Sequence, residues 1–198
     1  ALQLAGLAVP DWMDGRPLLG AEFPVRAALF AARDRCGDAA DRIRAIITPD
    51  YLLVRNFFPD VSRLNWSGYK EASYPGMPLL RVLQANGRLD DRAGEWLKSP
   101  RAALELYDLG ADPAGWSNRA GELRHRARVQ ELDTTLAAWI RDSGDRGALP
   151  DPATEPTLAQ IQQAKRTDYQ RVWQARLQRP EPTDAERLAW WEKHYGLR

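Results

Sequence analysis

Residues 103–120 read ALELYDLGADPAGWSNRA. The run from Leu104 to Leu109 has the length and apolar content of a strand, and Gly110 ends it. Leu106 and Leu109 supply inward-facing apolar groups. Asp112 is placed to accept the free N–H groups of the next turn as an N-cap, with Pro113 at the N1 position, where its missing N–H costs nothing. Downstream, Val129, Leu132, Leu136, Trp139 and Ile140 recur at 3–4 spacing and predict a long amphipathic helix over 121–142, closed by Gly144 and Gly147. Upstream, RIRAIIT (42–48) and YLLVRNF (51–57) flank Pro49-Asp50 and predict a β-hairpin. Before it, VRAALFAA (25–32) reads as a strand buried on both faces, and RDRCGDAAD (33–41) as a charged loop around Gly37. Residues 58–75 read as a loop carrying Trp66, Tyr69 and Tyr74. Helices are expected over 77–86, stopping at Gly87, and over 90–98, carrying Trp96.

The C-terminal quarter differs in character. ALPDPATEPT (148–157) holds three prolines and reads as a linker. Leu158, Ile161, Tyr169, Val172, Trp173 and Leu177 then outline a helix broken by Pro180 and Pro182. Thr183 with Glu186 has the capping-box spacing and opens a last helix through Leu188, Trp191 and Tyr195. The fold class expected is therefore α+β: a small antiparallel sheet, including 42–57 and 104–109, packed by one long amphipathic helix, with two extra C-terminal helices.

Composition narrows the function. A net charge of +1 gives no bulk electrostatic case for nucleic acid. No apolar run approaches the ~20 residues a membrane helix needs. The basic residues are 24 Arg and only 4 Lys, a skew that composition alone can produce, so an isolated Arg is weak evidence of a site. Eight Trp point to helices pinned by aromatic anchors, Trp173, Trp190 and Trp191 among them. Cys36 stands alone, so no intrachain disulfide and no Cys-based metal cage is expected. The first residues, ALQLAGL, read as a helix end with Gly6 near its C-terminus, as in a fragment or processed piece of something longer.

In this order, the pieces resemble the C-terminal portion of a sulfatase of the alkaline-phosphatase superfamily, as in arylsulfatases and sulfamidase-like enzymes. The family pattern runs roughly E-L-Y-D-L-x-x-D-P-x-E-x-x-N-L-A. Glu105, Leu106, Tyr107, Asp108, Leu109, Asp112, Pro113, Asn118 and Ala120 match it. Gly115 stands where Glu is usual, and Arg119 where Leu is usual. A preceding D-G-x-S/P-L-L block is matched by Asp14, Gly15, Pro17, Leu18 and Leu19. The resemblance covers about residues 1–147. It implies that residues 1–24 are the tail end of a larger catalytic domain and 25–147 the sulfatase C-terminal subdomain. The Pro-rich linker (148–157) and a helical extension (158–198) would follow. It also implies that strand 25–32 lies at the edge of the whole enzyme's larger sheet.

The resemblance further implies hydrolysis of sulfate esters or sulfamates on a sugar or aryl compound. Family members carry a formylglycine, made from the Cys or Ser of C-x-P/A-x-R, and a divalent cation, usually calcium, which polarises the sulfate. Neither is expected within these residues: the surroundings of Cys36 lack both the Pro/Ala and the Arg, and no catalytic or metal-ligating residue is assigned here. Cys36 reads as a small buried or loop thiol, and His125 and His194 as surface or packing residues. Substrate contact is the role left open. Arg33, Asp34, Arg35 and Arg42 are the candidates, since a guanidinium offers a planar fork to a sulfate or carboxylate and an Asp accepts from sugar hydroxyls. Alternatively, these charges solvate a turn or pair across it. Trp66, Tyr69 and Tyr74 either stack on a sugar or pack their insertion onto the sheet. The partners expected are the N-terminal catalytic part of the same protein and a sulfated small molecule or glycan, with no nucleic acid and no membrane. A homo-oligomer is left open, and the location is unknown, with periplasm or secretion suggested by the family. A phosphonate or phosphate monoester hydrolase of the same superfamily and a non-enzymatic interaction domain are the rival readings.

Overall fold

A computed structural model describes residues 1–13, 15, 26–146 and 155–196, with side chains from residue 160 onward in the last stretch. The D-G-x-P-L-L block, apart from Gly15, and most of the 148–157 linker lie outside the described residues. Four antiparallel strands form one sheet in the order β1 (Leu29–Cys36), β2 (Ala39–Ile47), β3 (Tyr51–Asn56), β4 (Leu104–Asp108). Among the described residues the helices are α1 (Gly68–Ser73), α2 (Gly76–Ala85), α3 (Asp91–Leu97), α4 (Arg126–Asp142), α5 (Glu155–Leu177) and α6 (Asp184–His194). This is the expected α+β class. Residues 3–5 make a short 3-10 turn closed by Gly6 at φ 70°, a backbone region that favours glycine.

The sheet's period-2 pattern decides which face is covered. Ile46 pairs with Leu53, and Leu53 with Leu106, so all three stand on one face. Leu132, Leu136 and Ile140 of α4 close over them, with Leu53, Leu106 and Leu136 fully buried. Phe30 of β1 stacks on Trp139 at 5.0 Å, nearly parallel. Two arginines on the same face reach α4 and the residues just beyond it. Arg55 pairs with Asp133, and Arg44 grips Asp145 at 2.5 and 2.8 Å. Arg44 is 2% exposed and also reaches Asp34 at 2.8 Å and the carbonyls of Arg33 and Ile43. The hydrogen bonds from Asp145, and then Asp34, outweigh burial and hold the Arg44 guanidinium above its ordinary pKa.

Several sequence expectations are corrected. Residues 33–41 are not a loop: β1 runs on to Cys36, which pairs with Ala39 across a two-residue turn of Gly37 and Asp38. Gly37 at φ 61° makes that turn inexpensive. The strand expected over 25–32 is Leu29–Cys36 where described. It is the edge of this four-stranded sheet, and it is mostly exposed rather than buried on both faces. Within 58–75, residues 68–73 are helical. Asp112 caps no helix: Trp116 and Ser117 donate their N–H groups to its carboxylate at 2.8 Å, closing a turn, and α4 starts only at Arg126 after a 3-10 turn over 123–125. Cys36 is an exposed strand-end thiol.

The C-terminal helices build a second cluster with the insertion that follows the hairpin. Tyr169, Trp173 and Trp191 are buried, and Trp66, Ala72, Leu177 and Trp190 pack against them. Trp173 donates its indole N–H to the Glu71 carbonyl at 3.3 Å. Arg81 bridges Glu71 of α1 and Asp184 of α6 at 2.7 Å each. The capping box of α6 is present in full, with Thr183 accepting from the Glu186 N–H and Glu186 from the Thr183 N–H. His125 meets the Tyr51 ring edge-on, and His194 stacks on Trp190, so both pack. No helix among the described residues is long and apolar enough to cross a membrane.

Candidate functional site

The residues shared with the family pattern form a structural clasp. β4 is the sheet's last strand, so its outer edge has unpaired backbone groups. Asn118 covers them: its side-chain oxygen accepts from the Leu106 and Ala120 N–H groups, both at 2.9 Å. The neighbouring Arg119 N–H donates to the Leu106 carbonyl at 2.7 Å. Asp108 caps the next bend by accepting from the N–H groups of Gly110 and Ala111. Gly115 takes φ 63°, a backbone region that favours glycine, which accounts for glycine at this position. Glu105 is buried. It accepts from Asn56 at 3.0 Å and Tyr107 at 2.8 Å, and pairs with Arg63 at 3.0 Å. Burial, reinforced by Glu105, pushes the Tyr107 phenol up to about 12.

The four candidate substrate contacts sit together on the β1–β2 hairpin. Arg33 pairs with Ile43 beside a bulge that separates it from Arg35. Its Nε is buried without a hydrogen bond among the described residues. Asp34 is exposed and engaged by Arg44. Arg35 is exposed near the turn. The Arg42 guanidinium lies over the Phe58 ring at 5.6 Å. The hairpin therefore unites all four on two adjacent strands, while buried Arg44, absent from the candidate set, holds the exposed Asp34 carboxylate from beneath.

Beyond these residues the turn forms one wall of a groove of about 550 Å³. Cys36 and Asp38 line it from the turn, and Tyr69, Lys70, Tyr74 and Met77 from α1 and the start of α2. Asp38 builds the corner. Its carboxylate accepts from the Ser67 hydroxyl at 2.9 Å and from the Gly68 N–H at 2.7 Å, so the hairpin turn caps α1 from 30 residues away. Gln162 of α5 donates to the Asp38 carbonyl at 3.0 Å and fixes the turn from behind. Tyr69 and Tyr74 meet edge to face at 5.6 Å, with their hydroxyls 3.2 Å apart. That hydrogen bond holds the Tyr74 phenol above its ordinary pKa. Trp66 does not line this groove: it packs edge-on to Tyr169 of α5 beneath Arg166, so it joins the insertion to α5 rather than to the sheet.

The Gly37-Asp38 pair is a two-residue hairpin signal that could have located this corner. Nothing local announces α1, because its cap comes from a distant strand turn. No three His, Cys, Asp or Glu side chains among the described residues come together to hold a cation.

No family model matches the sequence. Over 151 residues the chain is 28% identical to an ulvan-active sulfatase of Formosa agariphila, a match covering 76% of this chain and 25% of that protein. The chain thus spans about a quarter of the length of this curated relative. A solved Bacteroides thetaiotaomicron structure described as a candidate sulfatase overlays with a TM-score of 0.46 at 18% identity, covering 76% of this chain and 26% of that one. Over three quarters of its length the chain is thus similar in sequence to a sulfatase.

Proposed function

We propose that these residues are the C-terminal portion of a sulfatase that hydrolyses sulfate esters or sulfamates on a sugar or aryl compound. The observation that carries this reading is the likeness over 151 residues to a sulfatase roughly four times as long as the match. The motif residues fit it, since Asn118, Asp108 and Asp112 fold into one clasp along β4 rather than scattering over the surface. On this reading the formylglycine nucleophile and the calcium site belong to a larger N-terminal part. The divisions 1–24, 25–147, 148–157 and 158–198 are, respectively, the tail of that part, the subdomain, a linker and a helical extension.

The hairpin supplies the substrate-facing charges. Arg35 is exposed at the edge strand and carries no partner among the described residues, which leaves its guanidinium available for a sulfate or a sugar carboxylate. Arg33 and Arg42 flank it on the same hairpin, and Asp34 accepts from sugar hydroxyls while Arg44 holds it in place. The relative is named for ulvan, so ulvan is the first polysaccharide to try. The test is turnover by the full-length protein of p-nitrophenyl sulfate against p-nitrophenyl phosphate, with Arg35→Ala assayed on the preferred sugar sulfate. Sulfate turnover exceeding phosphate turnover is expected, with KM raised by Arg35→Ala. Phosphate turnover in excess would replace this reading with the phosphomonoesterase one. A full-length gene without a C-x-P/A-x-R block would remove the formylglycine enzyme altogether.

A further inference from the structure

We propose that the groove between the β1–β2 turn and α1 is a binding site for a sulfated sugar ring, separate from the hairpin arginines. Lys70 would hold the anion, and Tyr69, Tyr74 and Met77 would wall the ring. The choice of sulfate as the anion rests on the sulfatase reading; the rest stands on the geometry.

Three features carry it. The groove's volume of about 550 Å³ falls within the ~300–1,000 Å³ range of small-molecule sites. Its walls are mainly apolar, and Tyr69 is 66% and Tyr74 47% exposed, although both sit on or beside a helix whose other face packs against α5. Two exposed tyrosines set edge to face make a corner. The C–H face of a pyranose can lie on one ring while its hydroxyls meet the paired phenols. Lys70 is the cation in the wall, and among the described residues its ammonium makes no ion pair or hydrogen bond. The other charged group facing the groove, Asp38, is buried and already accepts from Ser67 and Gly68. It shapes the floor without capturing Lys70. An unpartnered ammonium between aromatic walls suits a ring that carries a negative charge; a neutral sugar would leave it unused.

Cys36 makes the test direct. It is the chain's only cysteine, it is exposed, and it lines this groove. Its alkylation by iodoacetamide, followed by intact mass, reads occupancy of this site alone. With galactose 6-sulfate present the labelling rate should fall as the probe saturates, about tenfold near ten times its dissociation constant. Galactose alone and sodium sulfate alone, at matched ionic strength, should leave it nearly unchanged. Lys70→Ala and Tyr69→Ala should each abolish the protection. Tyr69 is 66% exposed, and half-buried Lys70 makes no side-chain hydrogen bond or ion pair among the described residues, so neither variant strands a partner and their melting temperatures should stay close to the parent chain's. The proposal is overturned if galactose 6-sulfate gives no protection, if sodium sulfate protects equally, or if protection survives in both variants. Protection of Cys36 alongside absent sulfate turnover would sink the sulfatase reading alone. Turnover without protection would sink this inference alone.

Discussion

Removing the Asp145 carboxylate should expose a costly buried polar contact in the sheet lobe. Arg44 is 2% exposed, and the Asp145 side chain 13%, so neither charge has much water to fall back on. Asp145→Ala leaves the Arg44 Nε unpaired and removes one of its two anions, while Asp34 and the Arg33 and Ile43 carbonyls remain. Breaking a buried ion pair from one side typically costs about 3–5 kcal/mol. The surviving Asp34 contact offsets part of this, although Asp34 is 60% exposed and its charge is screened. The expected loss is therefore near the lower end, about 3 kcal/mol, or roughly 6–12 °C in Tm for a domain of this size. Asp34→Ala removes only the exposed partner and should cost less than about 1 kcal/mol. Urea denaturation of both variants sets the order. A third variant separates lost attraction from stranded charge: adding Arg44→Met to Asp145→Ala removes the buried cation and should recover stability relative to Asp145→Ala alone. Equal losses from the two aspartates, or no recovery on adding Arg44→Met, would refute the account of Arg44 as a charge sustained by Asp145.

Three further outcomes follow from the same geometry. Asn118→Ala strips the cover from β4 and strands the Leu106 N–H beside a fully buried side chain; a loss of about 2 kcal/mol is expected in denaturant melts, and a loss below about 0.5 would contradict the clasp. Gly68→Ala puts a Cβ 3.2 Å from Lys165 Cβ and 3.3 Å from its carbonyl oxygen, pressing α1 off α5, so about 1 kcal/mol should be lost and α5 cut faster in limited proteolysis; unchanged cleavage would argue against that close approach. Tyr107 and Tyr169 are both pushed up to about 12, chiefly by burial. A pKa raised above the unfolded value of ~10 stabilises the fold below that pH and stops doing so as pH climbs through the folded value, so stability should decline between pH ~10 and ~12. In absorbance titration at 295 nm, with Tyr→Phe variants to assign the steps, Tyr107 and Tyr169 should ionise near pH 12, and their ionisation near pH 10 in a still-folded chain would refute their burial.

How far the sequence could be read depended on the range of the forces at each place. The β2–β3 hairpin and α4 were legible because alternation and 3–4 spacing are written within a dozen residues. Ile46, Leu53 and Leu136 end up together, as those periods require. The run RDRCGDAAD misled because its charges suggested solvent. On an edge strand, however, Arg33, Asp34 and Arg35 can stay in the ladder while facing water, and Gly37 closes the turn at positive φ. Asp112 misled in the opposite way: an N-cap residue before proline looks the same whether a helix or a bare turn follows. Helix α1 left no local trace, since the carboxylate that caps it is Asp38, 30 residues earlier.

The candidate groove shares that last cause. Its residues come from 36–38 and 67–77, and what joins them is a tertiary cap, which no spacing rule can express. The family motif behaves in the opposite manner. Asp108, Asp112 and Asn118 satisfy backbone groups no more than twelve positions away, and removing Asn118 strands the Leu106 N–H. A clasp of that kind is written within a short stretch of chain, and that makes it readable from the sequence. A groove walled by exposed tyrosines and one lysine has no such internal demand. Substituting Tyr69 or Lys70 leaves the buried contacts of the clasp and of the Asp38 cap in place, so such variants probe what the groove binds apart from what the fold needs.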